Sequence, residues 1–168
     1  MYIEQIIHDI NNICLNNVCL DNYGLYIQLK NILENIDIQK FTSEINSYNF
    51  KKIIEIKNSN DSYTKYILET SDKFDFVYIK WNKNSSTKIH DHPEKGCIVK
   101  ILSGKLFEEL YNNLDVIKYE KTNILTTNMI SYKIGKIILH KIIAQENSES
   151  IHIYIPGYYN FTNYNLIN

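Results

Sequence analysis

The chain has 168 residues, 44% apolar and 22% charged, the size and balance of one globular domain with a real core rather than a disordered segment. A net charge of −1 gives no electrostatic footprint for nucleic acid, and no apolar run approaches the roughly 20 residues of a membrane span. The opening residues Met1 to Gln5 lack a basic, then apolar, leader, and Cys14, Cys19 and Cys97 show no disulfide framework spacing, so a soluble, cytoplasmic monomer is expected.

The N-terminal residues have helical period. Ile3, Ile6, Ile7, Ile10 and Cys14 fall on one face, and Leu25, Leu29, Ile32, Leu33 and Ile36 mark a second helix. The Asn-rich stretch from Asn11 to Asn22 is predicted to link them, and Thr42 or Ser43 to cap a third, short helix. Residues 1–49 hold no reactive constellation and are read as a helical cap on the main domain. His8 is expected at the surface.

From about residue 50 the period becomes strand-like. β-Branched and aromatic runs follow at 51–57, 63–69, 74–81, 87–91, 96–103, 105–112, 115–121, 128–133, 137–143 and 150–155, punctuated by Asn, Asp, Ser and Gly. Close-spaced short strands without interleaved helices predict a mainly β, antiparallel sandwich or barrel, with a double-sheet jelly roll preferred. Residues 50–157 form the predicted barrel core of a single domain. The tail 158–168, with Tyr158, Tyr159, Phe161 and Tyr164, is read as cover for that core.

The chemistry concentrates in histidines. His90-Asp91-His92 lies in a predicted strand, so the two imidazoles share a face and Asp91 points away. Cys97 follows His92 by five positions, and Gly104 follows Cys97 by seven, in Leu-Ser-Gly-Lys. His140 lies in the apolar run after Gly135. Alone it reads as a hydrogen-bonded core residue; beside His90 and His92 it reads as a third metal ligand.

These residues resemble the cupin superfamily, whose first motif has His-x-His, an acidic ligand and then glycine, and whose second motif supplies another histidine. Cys97 stands in the acidic ligand's place, and Glu94 lies too close to His92 to fill it. Three neutral histidines leave a divalent metal its full charge, which suits an anionic thiolate donor.

His-Asp-His followed by cysteine resembles cysteine dioxygenase. So do Trp81, nine positions before His90, and Ser150-Ile-His152-Ile-Tyr154-Ile-Pro156. The resemblance spans about residues 63–157 and implies a cupin double-stranded β-helix barrel. It implies iron(II) held by His90, His92 and His140, and a small thiol substrate oxidised by O2 to a sulfinic acid, L-cysteine first among candidates. Tyr154 is implied as the catalytic phenol, supported by His152 and Ser150, and Cys97 with Tyr154 as a thioether crosslink. The Ile155–Pro156 peptide is implied to be cis. Lys65, Tyr63 and Trp81 are implied to meet substrate.

Two departures bear on the substrate. The family has an arginine where Lys65 stands, and this chain contains no arginine; an ammonium offers a point charge in place of a planar fork. The chain also ends soon after Tyr159, where family members continue for another strand pair, which implies a more open site covered by Tyr158, Tyr159 and Phe161. A related dioxygenase of 3-mercaptopropionate or cysteamine stays open, as does a metal-binding cupin without catalysis. No Gly-x-Ser-x-Gly and no phosphate loop supports a hydrolase or nucleotide enzyme.

Overall fold

The computed structural model describes residues 1–16, 21–58 and 61–166; Cys19 and part of the expected inter-helix link lie outside them. Helix α1 (Tyr2–Asn16) buries Ile3, Ile6, Ile7 and Ile10 along one face. It continues past Asn11, where a linker was expected. Asn12 bonds back to His8 across one exposed turn, at 2.9 Å, and Ile13 and Cys14 still pack on the core. His8 is exposed, as expected.

Helix α2 (Asn22–Glu34) is capped by Asp21, whose carboxylate accepts from the Gly24 N–H at 2.8 Å. Helix α3 (Ile38–Ile45) starts earlier than its expected caps, because Asp37 accepts from the Lys40 N–H at 3.1 Å. Thr42 and Ser43 therefore lie inside the helix, donating their hydroxyls back to Ile38 O and Lys40 O.

Eleven strands follow: β1 (Lys52–Asn58), β2 (Asp61–Thr70), β3 (Asp75–Trp81), β4 (Ile89–His90), β5 (Gly96–Ser103), β6 (Lys105–Asn112), β7 (Lys118–Thr126), β8 (Ile130–Lys133), β9 (Ile138–Ala144), β10 (Ser148–Ile155) and β11 (Asn163–Tyr164). They form a six-stranded sheet, β1-β2-β3-β10-β5-β8, and a five-stranded sheet, β11-β4-β9-β6-β7. Every named pairing is antiparallel. The architecture is the mainly β, double-sheet jelly-roll barrel behind a helical cap that the sequence predicts. The Ile155–Pro156 peptide is cis.

Two expected strands moved. The run 115–121 becomes β7, which starts at Lys118, since Leu114 and Val116 point into solvent and Leu125 is the residue facing Leu106 across the sheet. The run 87–91 shrinks to Ile89–His90, so Asp91 and His92 leave the strand.

Alternation along the central strands divides the interior. Phe76 and Tyr78 of β3, Ile98 and Leu102 of β5, and Ile151 and Ile153 of β10 pack with the helices. Their neighbours Val77, Ile79, Trp81, Cys97, Val99, Ile101 and Tyr154 face the opposite sheet. Both faces are covered, so these strands read as nearly unbroken burial. Lys100, also buried on the helix side, donates its ammonium to Leu33 O at 2.6 Å at the end of α2, adding to the Ile36 N–H that the same carbonyl accepts at 3.3 Å. No helix among the described residues is long and apolar enough to cross a membrane.

Candidate metal centre

The five-stranded sheet brings the first candidate ligands together. His90 of β4 and His140 of β9 are register partners, and the His92 N–H donates to Gly135 O at 3.0 Å, which pins the residue just beyond the strand. Asp91 turns the other way, as its place in His-x-His requires. Its carboxylate accepts from Tyr159 Oη, Thr162 N–H and Tyr164 Oη.

The three ring nitrogens converge. His140 Nε2 lies 3.0 Å from His92 Nε2 and 3.1 Å from His90 Nε2, and one donor atom from each residue falls within 4.8 Å of the others. The opposite nitrogens decide the tautomers. His90 Nδ1 faces Lys88 O at 2.8 Å and His140 Nδ1 faces Glu108 Oε1 at 3.2 Å. Both partners only accept, so each Nδ1 carries the proton and each Nε2 presents a lone pair. His92 Nδ1 is buried with no hydrogen-bond partner among the described residues.

Burial pushes His90 and His92 well below the ordinary histidine value, reinforced by their neighbouring imidazoles; it lowers His140 too, against the opposing pull of Glu108. The rings are neutral at physiological pH, the state in which imidazole binds metal. Two lone pairs facing each other at 3.1 Å cannot form a hydrogen bond, and they repel unless a cation sits between them. For nitrogen donors about 2.1 Å from a metal and at right angles, the N···N separation is about 3.0 Å. The His90–His140 pair fits a metal ion on both counts, and His92 Nε2 stands at the same spacing from His140.

Glu108 is the residue that sequence reasoning missed. It is 1% exposed and lies on the buried, alternate positions of β6 with Leu106 and Leu110. Its Oε1 accepts from Ser131 Oγ and pairs with Lys133 Nζ at 3.0 Å, while Oε2 accepts from Asn123 Nδ2. Burial alone would raise its carboxyl. The His140 hydrogen bond and the Lys133 charge win and hold it below the usual carboxylate range. The available signal was an acid at an apolar alternation position, which demands buried partners. Glu94, dismissed as a ligand from its spacing, is exposed.

The six-stranded sheet supplies the facing wall. Trp81 Nε1–H donates to Ser150 Oγ at 2.8 Å; Ser150 Oγ meets His152 Nε2 at 2.8 Å; His152 Nδ1 meets Tyr154 Oη at 3.3 Å. Burial keeps His152 well below its ordinary value, hence neutral, and Tyr154 well above its own. Every donor in this line finds an acceptor if Ser150 donates to Nε2 and Nδ1–H donates to Tyr154. The phenolic proton is then free to point into the cavity. Trp81, expected at the substrate, lines the cavity with its N–H committed to Ser150. Cys97 and Tyr154 are register partners across β5 and β10, and both line the cavity. Burial pushes the Cys97 thiol up.

Between these walls is a cavity of about 350 Å³ reached by His90, His140, Cys97, Tyr154, Lys65, Tyr63, Tyr159 and Phe161 among others. Tyr158, expected to help cover it, is 65% exposed. Its positive φ of 57° and its N–H bond to Asp75 accompany a ring turned outward. Burial lowers the Lys65 ammonium from its ordinary value.

The chain matches the family model of cysteine dioxygenase type I over residues 23–166, a span that omits the whole of α1. It is 26% identical over 137 residues to cysteine dioxygenase type 1 of Rattus norvegicus, covering 68% of each chain. To the Homo sapiens protein of that name it is 29% identical over 106 residues, covering 57% of this chain and 52% of the relative. Among solved structures, KdgF from Halomonas sp. superposes with a TM-score of 0.50 at 15% identity, over 66% of this chain and 88% of that one. An oxalate decarboxylase variant from B. subtilis gives 0.54 at 12% identity, over 70% and 32%. These two likenesses are of fold.

Proposed function

The chain belongs to the cysteine dioxygenase type I family, and on that premise we propose that it is an iron(II)-dependent thiol dioxygenase that converts L-cysteine and O2 to cysteine sulfinic acid. One observation carries the reading: three neutral imidazoles converge on one point, and two of them, His90 and His140, open into the same cavity as a phenol and an ammonium.

His90, His92 and His140 hold the iron. Bound there, iron(II) supplies the redox chemistry that lets dioxygen react with a thiolate. Glu108 keeps His140 in the tautomer that offers Nε2. Lys65 receives the substrate carboxylate, which brings the thiol to the metal side of the cavity. Tyr154, oriented by His152 and Ser150, donates its phenolic proton to the reacting oxygen or sulfur. The reaction balances as R–SH plus O2 giving R–SO2H: sulfur loses four electrons, dioxygen takes them, and both oxygen atoms stay on sulfur.

Cys97 and Tyr154 are the pair for a thioether crosslink. The S–H and one ring C–H break, a C–S bond forms, and two electrons and two protons pass to dioxygen. The link fixes the phenol beside the metal.

A second reading has its own support. Among the described residues lining the cavity there is no Asp or Glu to receive a substrate amine, which favours a carboxylate-bearing thiol, 3-mercaptopropionate as well as cysteine, over cysteamine. Anaerobic iron(II) loading followed by oxygen uptake with the three thiols in parallel tests the proposal. Uptake with cysteine and a sulfinate product is expected. One bound iron per chain without uptake on any thiol would establish a non-catalytic metal protein instead.

A further inference from the structure

A lysine ammonium on a four-carbon stem does not hold a carboxylate in one place unless something fixes it. Among the described residues no carboxylate lies within ion-pair distance of Lys65. Its neighbours are aromatic. Nζ lies 5.0 Å from the Phe161 ring centroid and 5.9 Å from that of Tyr63. An aromatic face attracts a cation at this range, and unlike a carboxylate it does so without neutralising it. The charge stays available to an incoming anion.

Phe161 reaches this position from the C-terminal segment. The same ring meets His90 and Tyr154 edge-on, at 5.4 and 5.2 Å, so one side chain touches a metal-ligand candidate, the phenol and the ammonium. The segment is held by Asp91, 0% exposed, which accepts from Tyr159 Oη and Thr162 N–H at 2.9 Å and from Tyr164 Oη at 3.1 Å. Backbone pairing of Asn163 with His90 completes the attachment.

We propose that Phe161 is a positioning residue which, with Tyr63, seats the Lys65 ammonium, and that the Asp91 latch makes the C-terminal segment part of the carboxylate-recognition site. The seat supplies what the missing guanidinium fork would have supplied: a cation of fixed position. The substrate side of this inference rests on the thiol-carboxylate reading above; the seat itself does not.

Two measurements separate them. In the apoprotein, the Lys65 ε-methylene NMR signals should lie upfield under the ring current of Phe161 and move downfield in Phe161→Leu; unmoved signals overturn the seat. In iron-loaded protein without oxygen, calorimetry should show Phe161→Leu weakening 3-mercaptopropionate by roughly two- to thirtyfold, with cysteamine unaffected and Phe161→Tyr close to wild type. Equal weakening of both thiols means that Phe161 is only cover and overturns the proposal. A wild-type protein that binds neither thiol overturns the functional reading and the substrate role, while the NMR result still decides the seat. Tyr164→Phe, which removes one latch bond outside the cavity, should move both readouts the same way and less.

Discussion

His140 and His152 are buried to the same degree, 4% and 5% exposed, and burial lowers both from the ordinary histidine value. They face each other's sheet across one cavity, yet their rings are finished differently. His152 has a hydroxyl at each nitrogen. His140 has a carboxylate at Nδ1 and only other imidazole nitrogens at Nε2, that of His90 presenting a lone pair. A buried histidine satisfied at both nitrogens is a fixture that aims its neighbour. One satisfied at a single nitrogen, among others of its kind, keeps the other nitrogen open for a metal ion.

The strongest test of that difference is to remove each ring. His140→Ala should lose the metal on gel filtration and with it all turnover, whereas His152→Ala should keep the metal, read by elemental analysis. Equal metal loss from both variants would erase the distinction. Next in size is Glu108→Gln, which leaves an acceptor for His140 but removes the charge. Metal affinity by chelator competition should fall roughly ten- to a hundredfold. Lys133, its side chain 13% exposed, then lacks its counter-ion, so Glu108→Gln with Lys133→Met should recover fold stability without recovering affinity.

Smaller again is the effect of the phenol. Tyr154→Phe removes the proton donor and one hydrogen bond, so kcat should drop on the order of tenfold with metal content unchanged. Wild-type protein after turnover should weigh two hydrogens less by intact mass, and Tyr154→Phe should not. Separate Cys97 and Tyr154 peptides from turned-over wild type would remove the crosslink from the proposal.

The Ser150–His152–Tyr154 line was legible because strand alternation is a local rule: the three share a face whatever the rest of the chain does. The same rule placed Asp91 opposite its neighbours, but could not say what it would hold, since its partners lie 68 to 73 residues away. Glu108 obeys the alternation of β6 and was passed over, because a lone acid in a strand carries no motif. Its meaning comes from Asn123, Ser131, Lys133 and His140, all contributed by other strands. Helix starts failed for a smaller reason: Asp37 and Thr42 are both good caps, and only the path of the chain chooses between them. In β7 the exposed positions dominate, so the apolar period that would set its limits is weak.

Acid should weaken the apoprotein through the buried histidines, and the ligand trio and the relay should respond differently once metal is present. His90, His92, His140 and His152 all have lowered values in the folded chain, against about 6.5 when unfolded. Above that pH the rings are neutral in both states and their contribution is complete. As pH falls below it, the unfolded chain takes up protons that the folded chain refuses, and stability drops by up to about 1.4 kcal/mol per pH unit for each ring until the folded values are reached. Urea midpoints of the apoprotein should therefore fall between about pH 7.5 and about pH 5.5. His152→Gln should flatten that slope with or without a bound metal such as zinc. His140→Gln should flatten it in the apoprotein, and in metal-supplemented wild type the fall should steepen where protons displace the ion. A flat apoprotein profile across this range would mean that the rings are not held neutral, and the contrast between His140 and His152 would lose its electrostatic basis.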